Sequence, residues 1–220
     1  MNGRYQFAIL PLALLGGLAL GPATAAGPAP ATVQVAVATA SEQKVTETKA
    51  AMRDLWIGHI FWVRNVVIET FAKNPSAAKA AEAEVVANAK QIAGAIEPFY
   101  GKPAADKLFS LLAGHYGATK DYLTATVKRD QKAEAAATDA LMANAEQIAD
   151  FLSGANPNLP KDTLMQLLSA HGGHHIQEIQ DVAAKHYEAE AKTWSEMRGH
   201  IYVIADALVD ALAKQFPDKF

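Results

Sequence analysis

The chain has 220 residues, half of them hydrophobic, with a formal net charge of −3 and no cysteine. The slightly acidic balance and the scattered basic residues argue against nucleic acid as a partner. Without thiols there are no disulfides and no thiolate metal sites, so any metal must take imidazole, carboxylate or amide ligands.

Residues 1–25 read as a signal peptide. Arg4 gives a basic start, Phe7 to Leu20 is an uncharged apolar run, and Ala23-Thr24-Ala25 supplies the small-x-small cleavage pattern. The run is shorter than the ~20 residues a membrane span needs. The mature chain is therefore expected to be exported, periplasmic or secreted, with no integral membrane span. No cysteine follows the run, so a lipid anchor is not expected. Residues 26–44 are rich in Ala, Pro, Thr and Val without a helical period and read as a flexible tether.

From Val45 onward, apolar residues recur three and four apart among Ala, Leu, Glu and Lys, the signal of amphipathic helices. Breakers divide residues 45–220 into six helices. They lie at Asn74-Pro75-Ser76, at Pro98 with Gly101 to Pro103, at Arg129 to Lys132, at Gly154 to Pro160, near Lys185 to Glu188, and at Pro217. The fold class expected is all-α.

A 56-residue period runs through this domain. Leu55-Trp56-Ile57-Gly58-His59 returns as Leu111-Leu112-Ala113-Gly114-His115 and again as Leu167-Leu168-Ser169-Ala170-His171. Asn88-Ala89-Lys90-Gln91-Ile92-Ala93 returns as Asn144-Ala145-Glu146-Gln147-Ile148-Ala149, then as His200-Ile201-Tyr202-Val203-Ile204-Ala205. The period predicts a six-helix antiparallel bundle of three tandem helical hairpins with pseudo-threefold repetition, about 46–101, 102–157 and 158–213. Short connections make sequential helices neighbours.

In each hairpin the two repeated polar residues stand at equal distances from the turn. His59 with Asn88, His115 with Asn144 and His171 with His200 should thus share one level. His59 falls on the apolar stripe of Met52, Leu55, Trp56, Val63 and Val66, and Asn88 on that of Val85, Ile92 and Ile96. The six residues are expected to form one polar layer inside the bundle. Each is preceded by Gly or Ala (Gly58, Ala87, Gly114, Ala143, Ala170 and Gly199), which would let helices approach closely there.

Such a layer is costly unless paired, hydrated or metallated, because an unpaired buried polar group costs roughly 2–7 kcal/mol. Neutral imidazole suits Zn, Cu, Ni, Co or Fe, and converging histidines are how bundle metal sites are built. The ligands expected are His59, His115, His171 and His200. His175, one turn from His171, and Glu196, one turn from His200, are optional ligands, and Asn88 and Asn144 are outer hydrogen-bond partners. Two other readings stay open: a His–Asn layer that only fixes helix register, and a pocket for a small organic ligand. The run His171-Gly172-Gly173-His174-His175 with Glu178 also loosely resembles hemerythrin-type di-iron patterns, although the period explains His171 better. His174 is expected to flank the layer and His186 to be solvated near a turn. There is no nucleotide-binding glycine loop, nucleophile elbow or Ser–His–Asp spacing, so nothing in the sequence points to an enzyme.

Several local stretches carry a resemblance. They are Leu55-Trp56 with His59, Trp62 and Arg64; Pro98-Phe99-Tyr100-Gly101; Asn144-Ala145 through Ile148-Ala149 to Phe151-Leu152-Ser153; Asn156-Pro157; and Gln215-Phe216-Pro217-Asp218-Lys219-Phe220. Across residues 48–220 the chain resembles a family of uncharacterised exported bacterial all-helical proteins with histidine-containing hairpin repeats. The resemblance implies a secreted or membrane-associated helical protein. It covers the His59, His115 and His171 positions and not His200.

Overall fold

The computed structural model describes residues 31–220, with side chains from Ser41 onward. The segment read as a signal peptide lies outside the described residues. Six long helices carry the chain: α1 (Ala31–Phe71), α2 (Pro75–Gly94), α4 (Lys102–Lys128), α5 (Gln131–Ala155), α6 (Lys161–Ala184) and α7 (Tyr187–Gln215). A single turn, α3 (Glu97–Tyr100), joins α2 to α4, and a 3₁₀ turn (Pro217–Lys219) ends the chain. No strand occurs among the described residues, and none of their helices is long and apolar enough to cross a membrane. The chain is all-α.

The breaks fall where Pro, Gly and capping residues place them. Asn74 accepts a hydrogen bond from the Ala77 amide ahead of Pro75 at the first helical position, and Asp130 accepts one from Ala133. Lys73, Arg129 and Lys185 end α1, α4 and α6 in the left-handed region, with φ of 58°, 58° and 62°. After each, an amide reaches back five residues, Asn74 to Glu69, Asp130 to Ala125 and His186 to Asp181, which closes the helix in a Schellman-type turn. Glycine is absent from all three, and a basic side chain near a helix C-terminus has the favourable sign for the helix dipole.

One boundary differs from the sequence reading. Helix α1 begins at Ala31, inside the stretch 26–44 expected to be a tether. After Pro30 the chain has no Gly or Pro until Gly58, so nothing in the backbone interrupts a helix there.

Each long helix packs on the next in the order α1, α2, α4, α5, α6, α7, and α7 packs back on α1. Helix α6 also touches α1 and α4 across the interior. One apolar cluster gathers Trp56, Ile60, Ile92, Met197 and Ile201. Another holds Val63, Val67, Tyr122 and Ile179. A third joins Leu111, Ile148, Leu164 and Leu168. On α1, His59 falls between Trp56 and Ile60 of the first cluster and Val63 of the second, so the histidine level is enclosed by apolar side chains.

Cross-helix bonds hold the helices together at that level. Asn88 on α2 donates to the Leu55 carbonyl of α1 at 2.9 Å, Asn144 on α5 donates to Leu111 of α4 at 3.0 Å, and His200 on α7 bonds Leu167 of α6 at 2.8 Å. A Cβ on Gly58 would stand 2.9 Å from the Asn88 amide nitrogen, and one on Gly114 would stand 3.1 Å from that of Asn144. Glycine is needed in those two places because an amide reaches over them. At Ala170, where the partner is the longer His200, a methyl group is accommodated. Gly199 has open space around it, so close approach does not explain all six small residues.

Replacing a helical glycine by alanine gains about 1 kcal/mol of helix propensity where there is room. Gly173, exposed with nothing near its absent Cβ, should show that gain. Gly58→Ala should show no gain or a net loss, as the methyl displaces the Asn88 amide from Leu55. Chemical denaturation of the two variants checks this; equal stabilisation by both would contradict the close approach.

Candidate metal centre

Helices α1, α4 and α6 each turn one histidine of the repeat inward, and α6 adds a second one turn later. His59, His115, His171 and His175 are 5, 6, 2 and 1% exposed. Each can offer a ring nitrogen such that all four atoms lie within 4.8 Å of one another. His171 and His175 bring their Nε2 atoms to 3.2 Å, and their ring centroids stand 4.5 Å apart. The rings of His115 and His171 stack at 5.4 Å, and His59 lies 5.5 Å from His171 and 5.6 Å from His175.

A tetrahedral shell with metal–nitrogen bonds of 2.0–2.1 Å has nitrogens roughly 3.3 Å apart. The His171–His175 pair already stands near that separation, at 3.2 Å, and the remaining pairs lie within 4.8 Å. Four buried histidines thus lie close enough together to hold a metal ion.

The polar atoms of the cluster are poorly satisfied by the protein. Nε2 of His59 and His115 and Nδ1 of His171 and His175 are buried and lack hydrogen-bond partners. Leaving such a group unsatisfied costs about 1–3 kcal/mol each. Protonation offers no relief. Burial first, then the neighbouring His115, pushes His59 down to about 3, and burial pushes His115 down to about 4. His171 and His175 are held well below the ordinary imidazole value by burial and by the other histidines. All four are neutral near pH 7, the state that ligates metals.

Behind His175 stands a carboxylate the sequence reading did not assign to the site. Glu178, fully buried on α6, has an oxygen 4.0 Å from His175 Nδ1 and the other 3.8 Å from Arg64 Nε. Arg64 grips Glu190 with two bonds, at 2.5 and 2.9 Å, and its guanidinium lies over the Trp194 ring. Burial, then the charge of Glu190, pushes Glu178 up to about 8, with Arg64 opposing. A carboxylate next to the non-ligating nitrogen of a histidine is the usual support of a metal-bound imidazole. The signal for it was the i, i+3 spacing from His175 on a buried helix face.

Not every expected ligand joins the cluster. His200 is spent on the Leu167 carbonyl and packs beside His174 at 5.3 Å. It lies on α7, whose residue at that level reaches the backbone of the adjacent helix, as Asn88 and Asn144 do from α2 and α5. Glu196 pairs with Lys192 at 3.7 Å, and both side chains are mostly exposed. Asn88 and Asn144 bond main-chain carbonyls and make no bond to a histidine. His186 lies exposed at the start of α7. Comparison with family models, curated proteins and solved structures gave no match.

The depressed imidazoles set a pH dependence for the metal-free protein. Unfolded imidazoles titrate near 6.5. Between that value and pH ~4 the unfolded chain binds more protons, and stability falls as pH falls, by about 1.4 kcal/mol per pH unit for each histidine kept neutral. Glu178 acts in the opposite sense. Its folded carboxyl keeps a proton up to about 8 against an unfolded value of 4.5, so its contribution is full below 4.5 and lost as pH rises through 8. Four histidines outweigh one carboxyl on the acid side. Urea melts in chelator should therefore show greatest stability around pH 6.5, a steep acid side, and an alkaline side that Glu178→Gln flattens. A flat acid side would contradict the buried neutral cluster.

Proposed function

We propose that this protein binds a first-row transition metal ion through His59, His115, His171 and His175, as an exported bundle of three tandem helical hairpins with pseudo-threefold repetition. The observation that carries the metal reading is the convergence of four buried, neutral imidazoles, each offering a ring nitrogen within 4.8 Å of the others and each keeping one ring nitrogen without a hydrogen-bond partner. Imidazole-only coordination selects Zn, Cu, Ni, Co or Fe over Mg or Ca. Glu178, 4.0 Å from His175 Nδ1 and 3.8 Å from Arg64, would accept from His175 Nδ1 and offset the charge of the ion once the bound cation had driven off its carboxyl proton.

The threefold reading is supported by the recurrence at 56 residues of the left-handed helix ends Lys73, Arg129 and Lys185, and of the bonds made by Asn88, Asn144 and His200. Export is supported by the basic, apolar and small-x-small order of residues 1–25. The resemblance to exported helical proteins agrees with it.

The register reading also has an observation in its favour, and it applies to different residues. Asn88, Asn144 and His200 each bind one carbonyl of the preceding long helix, which fixes helix heights without any metal. The polar level thus divides into outer residues that set register and inner histidines that ligate.

Elemental analysis of the mature protein, purified without a histidine tag and dialysed after exposure to zinc or cobalt(II), should find about one ion per chain. His115→Ala and His175→Ala should lose it. His200→Asn should keep it, since asparagine serves at the two equivalent positions. Glu178→Gln should weaken affinity about 10- to 100-fold. An unmetallated wild-type protein, or His200→Asn failing as badly as His115→Ala, would overturn the assignment.

A further inference from the structure

Next to the histidine cluster the bundle contains a cavity of about 60 Å³. His59, His115 and His171 border it, whereas His175 does not. The rest of its wall comes from apolar side chains of all six long helices, among them Trp56, Ile92, Leu112 and Leu168, which are themselves buried. Two polar residues reach its wall at the other end, Tyr100 and Asn156, and both are spoken for. Asn156 donates to the Tyr100 hydroxyl at 3.0 Å and accepts from the Asn158 amide, and Tyr100 donates to Gln215 at 2.6 Å.

These facts limit what can occupy the space. A buried water needs two to four polar partners, and apolar cavities that lack them stay dry and take up apolar guests such as xenon. The volume is small beside the ~150 Å³ of an apolar cavity that takes up benzene, which suits a guest of two or three heavy atoms. The cluster is also polarised. His175 has Glu178 behind it, and the face formed by the other three histidines opens on the dry space.

We propose that the cavity delivers an uncharged diatomic gas to the metal held by the histidines, at the face opposite His175. This rests on the metal assignment above. The gas coordinates reversibly as a further ligand of an iron or cobalt ion, whose open d shell binds it as filled-shell zinc(II) would not, with no bond broken in it and no external electron donor required. The apolar walls favour such a guest over water and anions, which would have to shed their hydrogen bonds to enter.

Two experiments separate the parts. Xenon NMR on the metal-free protein tests the cavity alone. A bound xenon signal is expected, and it should disappear in Leu168→Phe, whose larger ring fills the space. Nitric oxide added to the cobalt(II)-loaded protein tests access to the ion, since the visible bands of cobalt(II) report its coordination number. The bands should change on adding the gas. In Leu168→Phe the metal should be retained and nitric oxide affinity should fall at least tenfold. Ile92→Phe, which fills the space from α2, repeats the test should Leu168→Phe not fold. Failure of the wild-type protein to take up cobalt would sink the metal assignment. Cobalt uptake with bands unmoved by nitric oxide, a response unchanged in the filled variants, or no xenon binding would sink the gas proposal alone.

Discussion

The constraint on which this structure turns is the burial of four neutral imidazoles in one apolar interior. A neutral imidazole needs both a donor and an acceptor partner, and the bundle does not provide enough of them: four ring nitrogens of the cluster are enclosed and unpartnered. Proteins tolerate such a deficit where function requires it. A cation shared among the rings would remove the deficit at Nε2 of His59 and His115 and take the place of the Nε2–Nε2 contact between His171 and His175. The Glu178 carboxyl stands 4.0 Å from the opposite side of His175, and Arg64, bonded to Glu190, lies 3.8 Å from its other oxygen.

Everything around the cluster maintains its geometry. The histidines come from α1, α4 and α6, so their separations depend on three helices keeping their heights relative to one another. Asn88, Asn144 and His200 each clamp a carbonyl four residues before a cluster histidine, one helical turn away. A sliding of any helix by a turn would break such a clamp and leave a buried polar group without a partner. The clamps need close helix approach, which Gly58 and Gly114 permit. The site is thus positioned by main-chain contacts on rigid helices and not by loops, which favours a fixed coordination geometry.

Much of this was legible in the amino-acid sequence because its period is long and free of gaps. The helix breaks followed from Pro, Gly and polar runs, and the register of His59, His115 and His171 followed from the 56-residue offset. His175 was reachable from helical spacing alone. The period misled at His200. Equivalent position implied equivalent direction, yet His200, like Asn88 and Asn144, bonds a carbonyl of the neighbouring helix and does not join the histidines. Glu196, one turn away, fell outside because its side chain is mostly exposed and pairs with Lys192. Glu178 was harder to place. A glutamate on a helix ordinarily faces solvent, and the charged groups beside this one, Arg64 and Glu190, come from α1 and α7. Those residues lie 126 positions apart, beyond any local pattern. The cavity beside the histidines was not legible either, because a void depends on the three-dimensional fit of side chains from all six long helices.

The most direct test of the central claim is X-ray absorption spectroscopy of the zinc- or cobalt-loaded protein. The account predicts a first shell of nitrogen at about 2.0–2.1 Å, with the outer-shell scattering of four imidazoles, and a spectrum unchanged in His200→Asn. A shell dominated by oxygen, or by one or two imidazoles, would mean that the metal sits elsewhere on the protein. The buried histidines would then be a packing arrangement alone.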